Sequence, residues 1–350
     1  MSISNFKPQI WSARVQANLD KALVLGRLVN RDYEGEVTGY GTAVKINKPG
    51  NIPVTTGYTA GSTISYATPY SSQTTLSINQ RSIAGFTVDS LDQIQANVNL
   101  VETYSQRMGF SLADDIDRYL ASLYVAAGAG DVTLNVSGAI NAGDLTNVFA
   151  AAGQLLDTTN TPAAGRWAAI SPAVHAAMAK DSRIWQGFQT ADSMAARGQN
   201  YLGSFMGFDL YKSNNLLGTG VTVTLTAQVT PGDTALTCSA LSASIPAGTI
   251  LVFGPGRYAR TTATAAAAAT SISIAASDVV IPNGSAATYV KVRKCMFGTD
   301  AAITFALQKA PNMEALKDKD TTYDYVRAEQ AYGAVVMEPL ALGTLTVTEA

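Results

Sequence analysis

DSLDQIQANVNLVETYSQRMGFSLADDIDRYLASLYVAA, residues 89–127, is the stretch that decides the fold. Its apolar residues Leu91, Ile94, Val98, Val101, Tyr104, Met108, Leu112, Ile116, Tyr119 and Leu123 recur at gaps of three or four, which puts them on one face of an α-helix. No proline lies between Pro69 and Pro162, so nothing in the covalent chemistry interrupts the run. At 1.5 Å per residue it predicts a helix about 55 Å long, the width of a whole domain, with Gly109 as the place for a bend. Asp114, Asp115 and Asp117 form a polar stripe beside Arg118. Oxygen-ligand metal sites normally draw on loops or several elements, so this stripe reads as a solvated or subunit-facing surface with local charge pairing, and no metal is assigned to it.

On the N-terminal side, residues 34–88 change period. Val37, Val44 and Ile46 before, and Leu76, Ile78, Ile83, Phe86 and Val88 after, read as strands. Between them residues 49–75 are rich in Gly, Thr, Ser and Tyr and hold almost nothing that could anchor a core. A polar connection of this length between two strands predicts a hairpin that projects from the body and needs a partner to pack against. Earlier still, Trp11, Val15, Leu19, Ala22, Leu23 and Val29 sit at helical spacings, predicting an amphipathic helix from about Gln9 to Val29 behind a short tail.

On the C-terminal side, a Gly-rich break at 128–143 leads into alternating helix and strand. Asp144 caps a helix to about Leu156, Trp167 to Ile170 reads as a strand, and Ser171 with Pro172 is an N-cap followed by proline at the first helical position. Phe208–Lys212, Ile303–Leu307, Tyr332–Met337 and Leu345–Val347 supply further strands, so the body is α+β. Residues 219–294 look foreign to it. From 219 to 290 the only charged residues are Asp233, Arg257, Arg260 and Asp278, and short Thr/Ala/Val runs alternate with turn residues, which predicts a compact all-β insertion. It carries a weak repeat 36 residues apart: TALTCSALSASIPAG from Thr234 and TSISIAASDVVIPNG from Thr270, each ending in an Ile-Pro-x-Gly turn.

Composition narrows the function. The chain of 350 residues has a formal charge of -2, and no segment gathers the basic residues of a nucleic-acid binder. Charged residues make up 14%, against roughly a quarter in an average soluble domain, so much of the surface is expected to meet other protein. No apolar run reaches the roughly 18 residues of a membrane span, and the start MSISNFKPQ lacks a signal-peptide layout. Cys238 and Cys295, the two cysteines, are too few for a disulfide framework or a CxxC metal site and read as small core residues. His175 is the single histidine, and no GxSxG elbow, P-loop or GxGxxG fingerprint occurs, so no catalytic, cofactor-binding or metal-binding residue is assigned and an enzyme is not expected.

The order of elements resembles the Hong Kong 97-like family of tailed-bacteriophage major capsid proteins. Local sequence carries the resemblance too. GFDLYKSNNL, 207–216, is similar to the strand and Ser-Asn-Asn turn of that family. AYGAVVMEPLALGTLTV, from Ala331, resembles its closing segment, with Tyr332, Gly333 and Pro339 at the matching places, and IWSARVQANLDKALVLGRLVNRDYEGEV resembles its N-arm. The resemblance covers about 1–218 and 295–350. It implies an N-terminal arm (1–33), an extended loop hairpin (34–88), the spine helix of a peripheral domain (89–127), the first part of an axial domain (128–218), an inserted β domain (219–294), and closing strands of the axial and peripheral domains (295–350).

Functionally it implies pentamers and hexamers closing an icosahedral or prolate head around double-stranded DNA. That DNA is bound without sequence specificity, and the shell is assembled in the bacterial cytoplasm and ends in the virion. The implied partners are further copies of the chain, a portal protein, decoration proteins and a scaffolding protein. With only about nine residues ahead of the arm helix, the scaffold is expected to be a separate polypeptide. Trp11, Val15, Leu19, Val44, Ile46, Leu76 and Ile78 are the expected contacts between subunits. Two other readings stay open: an encapsulin-type compartment shell, and a glycan-binding or adhesion protein using Tyr258 and Tyr289 of the insertion as stacking residues.

Overall fold

The computed structural model describes residues 24–37, 41–54, 56–57, 59–61, 63, 66–89, 100–136, 142–180, 201–254, 257–317 and 323–349. Its strands in chain order are β1 (Ala43–Pro49), β2 (Ser71–Ser77), β3 (Gln80–Asp89), β4 (Asp131–Asn135), β5 (Arg166–Ile170), β6 (Tyr201–Phe205), β7 (Phe208–Lys212) and β8 (Gly218–Thr224). They continue with β9 (Ala235–Thr237), β10 (Ile250–Gly254), β11 (Arg257–Arg260), β12 (Ser271–Ser273), β13 (Ala286–Thr299), β14 (Ile303–Lys317), β15 (Tyr323–Val336) and β16 (Leu342–Thr348). The chain forms two compact units and passes between them more than once. One holds the described residues within 1–129, 156–167 and 298–342, and the other those within 130–155, 168–297 and 343–350.

In the first unit the long helix spans Leu100–Ser122 and ends in a 3₁₀ turn, Leu123–Ala126. It runs through Gly109 without interruption; of the expected part before Leu100, Asp89 is the last residue of β3 and 90–99 lie outside the described residues. Met108, Leu112 and Ile116 are buried along one face, as the spacing predicts, while Tyr119 and Leu123 of the predicted stripe are half-buried and Leu120, not in that stripe, is buried beside them. Tyr104 departs from that stripe: it is exposed, with its ring beside Phe86 at 5.5 Å. The sheet of this unit is antiparallel, in the order β14-β15-β3. In β3 the half-buried residues are Ser82, Ala84 and Phe86, so strict alternation turns Ile83, an apolar residue, to the exposed face.

The second unit is built on a sheet in the order β4-β16-β13-β5-β7-β6, with β8 also paired to β13. β16 joins β4 in parallel. Met206 (φ 49) and Gly207 (φ 83) connect β6 to β7 as a two-residue hairpin turn that needs positive φ at both positions. Phe149, on the helix Ala142–Thr158, stacks against Phe208, which meets Phe297 edge-on at 6.0 Å, so a ladder of rings fills this core.

The insertion has its own hydrophobic cluster, from Val221 to Ala287. Its 36-residue repeat is a structural two-fold. β9 pairs antiparallel with β12 so that Leu236 faces Ile272, its own counterpart. Every other link then has a twin: Leu225–Cys238 with Thr261–Ile274, Val229–Ile281 with Ala265–Ile245, and β8–β13 with β11–β10. Gly248 (φ 82) matches Gly284 (φ 79), while Ala268 (φ 62) holds the left-handed place that Gly232 (φ 97) fills in the first copy.

Candidate assembly surfaces

The hairpin β1–β2 pairs in continuous register from Ala43–Ser77 to Pro49–Ser71. At its base Ile46 and Leu76 are buried with Ala306, and Tyr33, Val44, Ile78, Val335 and Met337 close around them. Ile46 and Leu76 were expected to contact a neighbouring subunit. Within the single chain both are buried, with Ala306 of β14 and Val335 of β15 packed on them. Val44 and Ile78 stay half-buried at the edge of the same cluster, and Trp11, Val15 and Leu19 lie outside the described residues. Farther out the hairpin has no cover: every described residue from Asn51 to Gln73 is exposed, including Ile52, Val54 (85%), Tyr66 (87%) and Tyr70. Sequence reasoning named the base of this hairpin and missed the apolar residues of its tip, because these are scattered singly among polar ones.

The acidic stripe of the long helix divides into three roles. Asp114 pairs with Arg118 at 3.0 Å, one turn away, as expected. Asp115 accepts hydrogen bonds from Ser82 Oγ and, at 2.7 Å, from the Tyr332 hydroxyl. Asp117 is buried and accepts the backbone N–H groups of Val24 and Leu25 at 3.2–3.3 Å. The expectation of a solvated or subunit-facing stripe is thus corrected for Asp115 and Asp117, which hold other parts of the same unit to the helix. The same carboxylate explains why residues 24–29 are not the expected helix. The amides of Val24 and Leu25 turn to Asp117, a 3₁₀ turn forms at Leu25–Arg27, and Asn30 bridges to Thr304. Glu34 then bonds Arg31 at 2.8 Å and accepts the Leu307 N–H.

Tyr332 and Gly333 lie within β15, where each has a steric reason to be what it is. The Tyr332 ring is buried against Tyr119 and Phe305, and burial, reinforced by the neighbouring Asp115 carboxylate, pushes its hydroxyl far above the ordinary range, so it stays a proton donor. A Cβ on Gly333 would stand 2.1 Å from the Ser77 carbonyl oxygen, so only glycine lets β2 end this close to β15. Pro339 opens a 3₁₀ turn, and its carbonyl accepts the Gly128 N–H at 2.7 Å. In the second unit Ser213 takes the N–H of Asn215 on its Oγ, forming the turn after β7.

The remaining chemistry-bearing residues are packing elements. Ser171 caps the helix Pro172–Lys180 through the Val174 N–H, and His175 there titrates below its ordinary value because of burial and nearby Lys212. Cys238 and Cys295 are free and buried. Among the described residues no three His, Cys, Asp or Glu side chains gather as a metal site, and no helix is long and apolar enough to cross a membrane. Tyr258 is exposed whereas Tyr289 packs on the insertion's core, so the two do not share a stacking face.

Compared by sequence, the chain matches no protein-family model and no curated protein. Compared by structure, it is similar to a chain from Mycobacterium phage Che8 (20% identity, TM-score 0.58, 92% of this chain and 90% of that one). It is also similar to chains of the capsid structure of the Cyanophage P-SCSP1u (14%, 0.58, 94% and 89%) and of the bacteriophage PhiM1 mature capsid (12%, 0.54, 90% and 84%). The fold is therefore that of phage capsid proteins, mixed α+β.

Proposed function

We propose that this chain is the major capsid protein of a tailed phage, with the Hong Kong 97-like fold, assembling into pentamers and hexamers of a closed head. One observation carries the reading beyond the fold: the β1–β2 hairpin is packed at its base and bare beyond Asn51. A two-stranded ribbon is at best marginally stable in water, so it is completed by a neighbour's surface. In this reading Trp11, Val15 and Leu19 of the N-terminal segment, and the exposed rims of Val44 and Ile78, face other subunits. The partners are a separate scaffolding protein, a portal, decoration proteins and DNA held without sequence specificity. The insertion lies on the outer face of the head, the head is assembled in the bacterial cytoplasm, and the chain performs no catalysis. An encapsulin-type compartment would share the shell but hold a cargo other than DNA.

Expression of the chain alone in bacteria, followed by sedimentation and electron microscopy, tests this. Tubes, spirals and irregular shells are expected, turning into uniform heads when the scaffolding protein is supplied. A stable monomer that never assembles under either condition contradicts the proposal.

A further inference from the structure

The two-fold of the insertion offers an internal control, because the pairs from Ile250–Arg260 to Val252–Tyr258 repeat those from Ala286–Thr224 to Thr288–Thr222. The outward face of β8–β13 carries Thr222, Ala286 and Thr288. At the same places β10–β11 carries Tyr258, Ile250 and Val252, exposed by 55%, 61% and 60%. Beneath them Leu251 and Ala259 are buried like their counterparts Ala287 and Val223, and Phe253 is buried where the other copy has the half-buried Tyr289, so the large apolar side chains are not needed by the module's own core. β10–β11 is a two-stranded sheet of its own. An exposed apolar hairpin with no further strand beside it is an aggregation hazard unless something covers it.

The charges break the two-fold as well. Arg260 ends the apolar hairpin where the other copy has Thr224, and Arg257, which a bulge sets opposite Gly254, is exposed where the sequence repeat has the buried Val221. Asp233 and Asp278 flank the Gly232 turn, tied together by Gly232 N–H to Ser277 and Ser277 N–H to Asp233, where the other copy has Ala269 and Ser242. Thr230 donates its N–H and hydroxyl to Asp233, holding that carboxylate below its usual range and ionised. Val280, exposed beside Asp278, adds an apolar rim where the other copy has Ser244. Among the described residues no ion pair joins either arginine to either aspartate.

We infer that the β10–β11 hairpin docks on the Asp233/Asp278/Val280 patch of the insertion in a second copy of this chain. The hairpin is basic and apolar, and the patch is acidic with an apolar rim. The two surfaces differ, so the contact is head-to-tail: each copy gives a hairpin and receives one, and the chain of contacts closes into a ring. This inference rests on the shell reading for the presence of many copies, and its test separates the two.

Full-length chain carrying both Tyr258→Cys and Asp278→Cys is assembled into particles, treated with a short bis-maleimide and run on a denaturing gel. Most of the chain is expected to shift into a ladder ending at the ring size, with the unmodified chain, whose cysteines are buried, staying monomeric. In parallel, Arg257→Glu with Arg260→Glu is expected to lower particle yield at least tenfold, and adding Asp278→Lys to recover most of it. Intact particles whose double-cysteine subunits run as monomers would overturn the inference and leave the shell reading standing. Dimers from Tyr258→Cys alone would overturn it too, since hairpin would then meet hairpin. Failure of the unmodified chain to form particles under any condition removes both.

Discussion

Replacing Gly333 by alanine adds one methyl group where the backbone has no room. The new Cβ would lie 2.1 Å from the Ser77 carbonyl oxygen, 2.9 Å from its carbon and 3.1 Å from the Ile78 Cα. All three are backbone atoms, so no side chain can swing aside. Relief requires β2 to move from β15 by about an ångström, loosening the cluster of Ile46, Leu76 and Ala306 at the hairpin base. Overpacking of this kind costs about 1–3 kcal/mol, and a clash with backbone belongs at the upper end. The gain from a less flexible unfolded chain is only about 0.4–1 kcal/mol, so it does not offset the clash. At roughly 2–4 °C per kcal/mol for a domain of this size, the net loss of about 1–2.6 kcal/mol should lower the melting temperature of the unassembled chain by about 2–10 °C. Gly35→Ala is the control, because nothing lies within 4 Å of its Cβ, and it should change stability by less than about 0.5 kcal/mol. A Gly333→Ala protein that melts with Gly35→Ala and the parent would refute the close approach of β2 to β15.

Asp117→Ala leaves the buried N–H groups of Val24 and Leu25 without this acceptor, at about 1–3 kcal/mol each. Hydrogen exchange should speed up at those amides while amides of β14 and β15 keep their protection; unchanged exchange would count against the clamp. Leu76→Ala should cost about 2–5 kcal/mol in chemical unfolding if the hairpin base is as closely packed as described, and under 1 kcal/mol if it is open to solvent. Burial pushes the Cys295 thiol up to about 12, from an ordinary 9.0. The folded thiol therefore titrates above the unfolded one, and the stability this gives is whole below about pH 9 and is lost as the pH rises toward 12. Iodoacetamide at pH 8 should leave Cys295 unmodified until the chain unfolds, and labelling of the native chain would contradict its burial.

The parts legible in the sequence were those where one physical rule acts alone. The period of the long helix, the strand Phe208–Lys212, the Ser171 cap with Pro172 behind it and the 36-residue repeat all reappear where spacing or turn chemistry put them. Tertiary contacts overruled the local rules elsewhere. Asp117 is one of three similar carboxylates, and only the fold sends the Val24 and Leu25 amides to it. Ile46 and Leu76 alternate as any half-buried strand does, and sequence could not say that β14 of the same chain would cover them. Ile83 reads as core by type but sits one residue out of phase with Ser82, Ala84 and Phe86. The docking face on β10–β11 needed the repeat to be seen as a two-fold, since only then does Ile250 have a counterpart in Ala286 to be compared with.

The most direct measurement of the central claim is a cryo-electron-microscopy reconstruction of particles formed by the full chain. The account predicts a closed shell in which Ile52, Val54, Tyr66 and Tyr70, bare in the single chain, are buried on an adjacent subunit. A closed shell with those side chains still in solvent, or a small discrete oligomer in place of a shell, would contradict it.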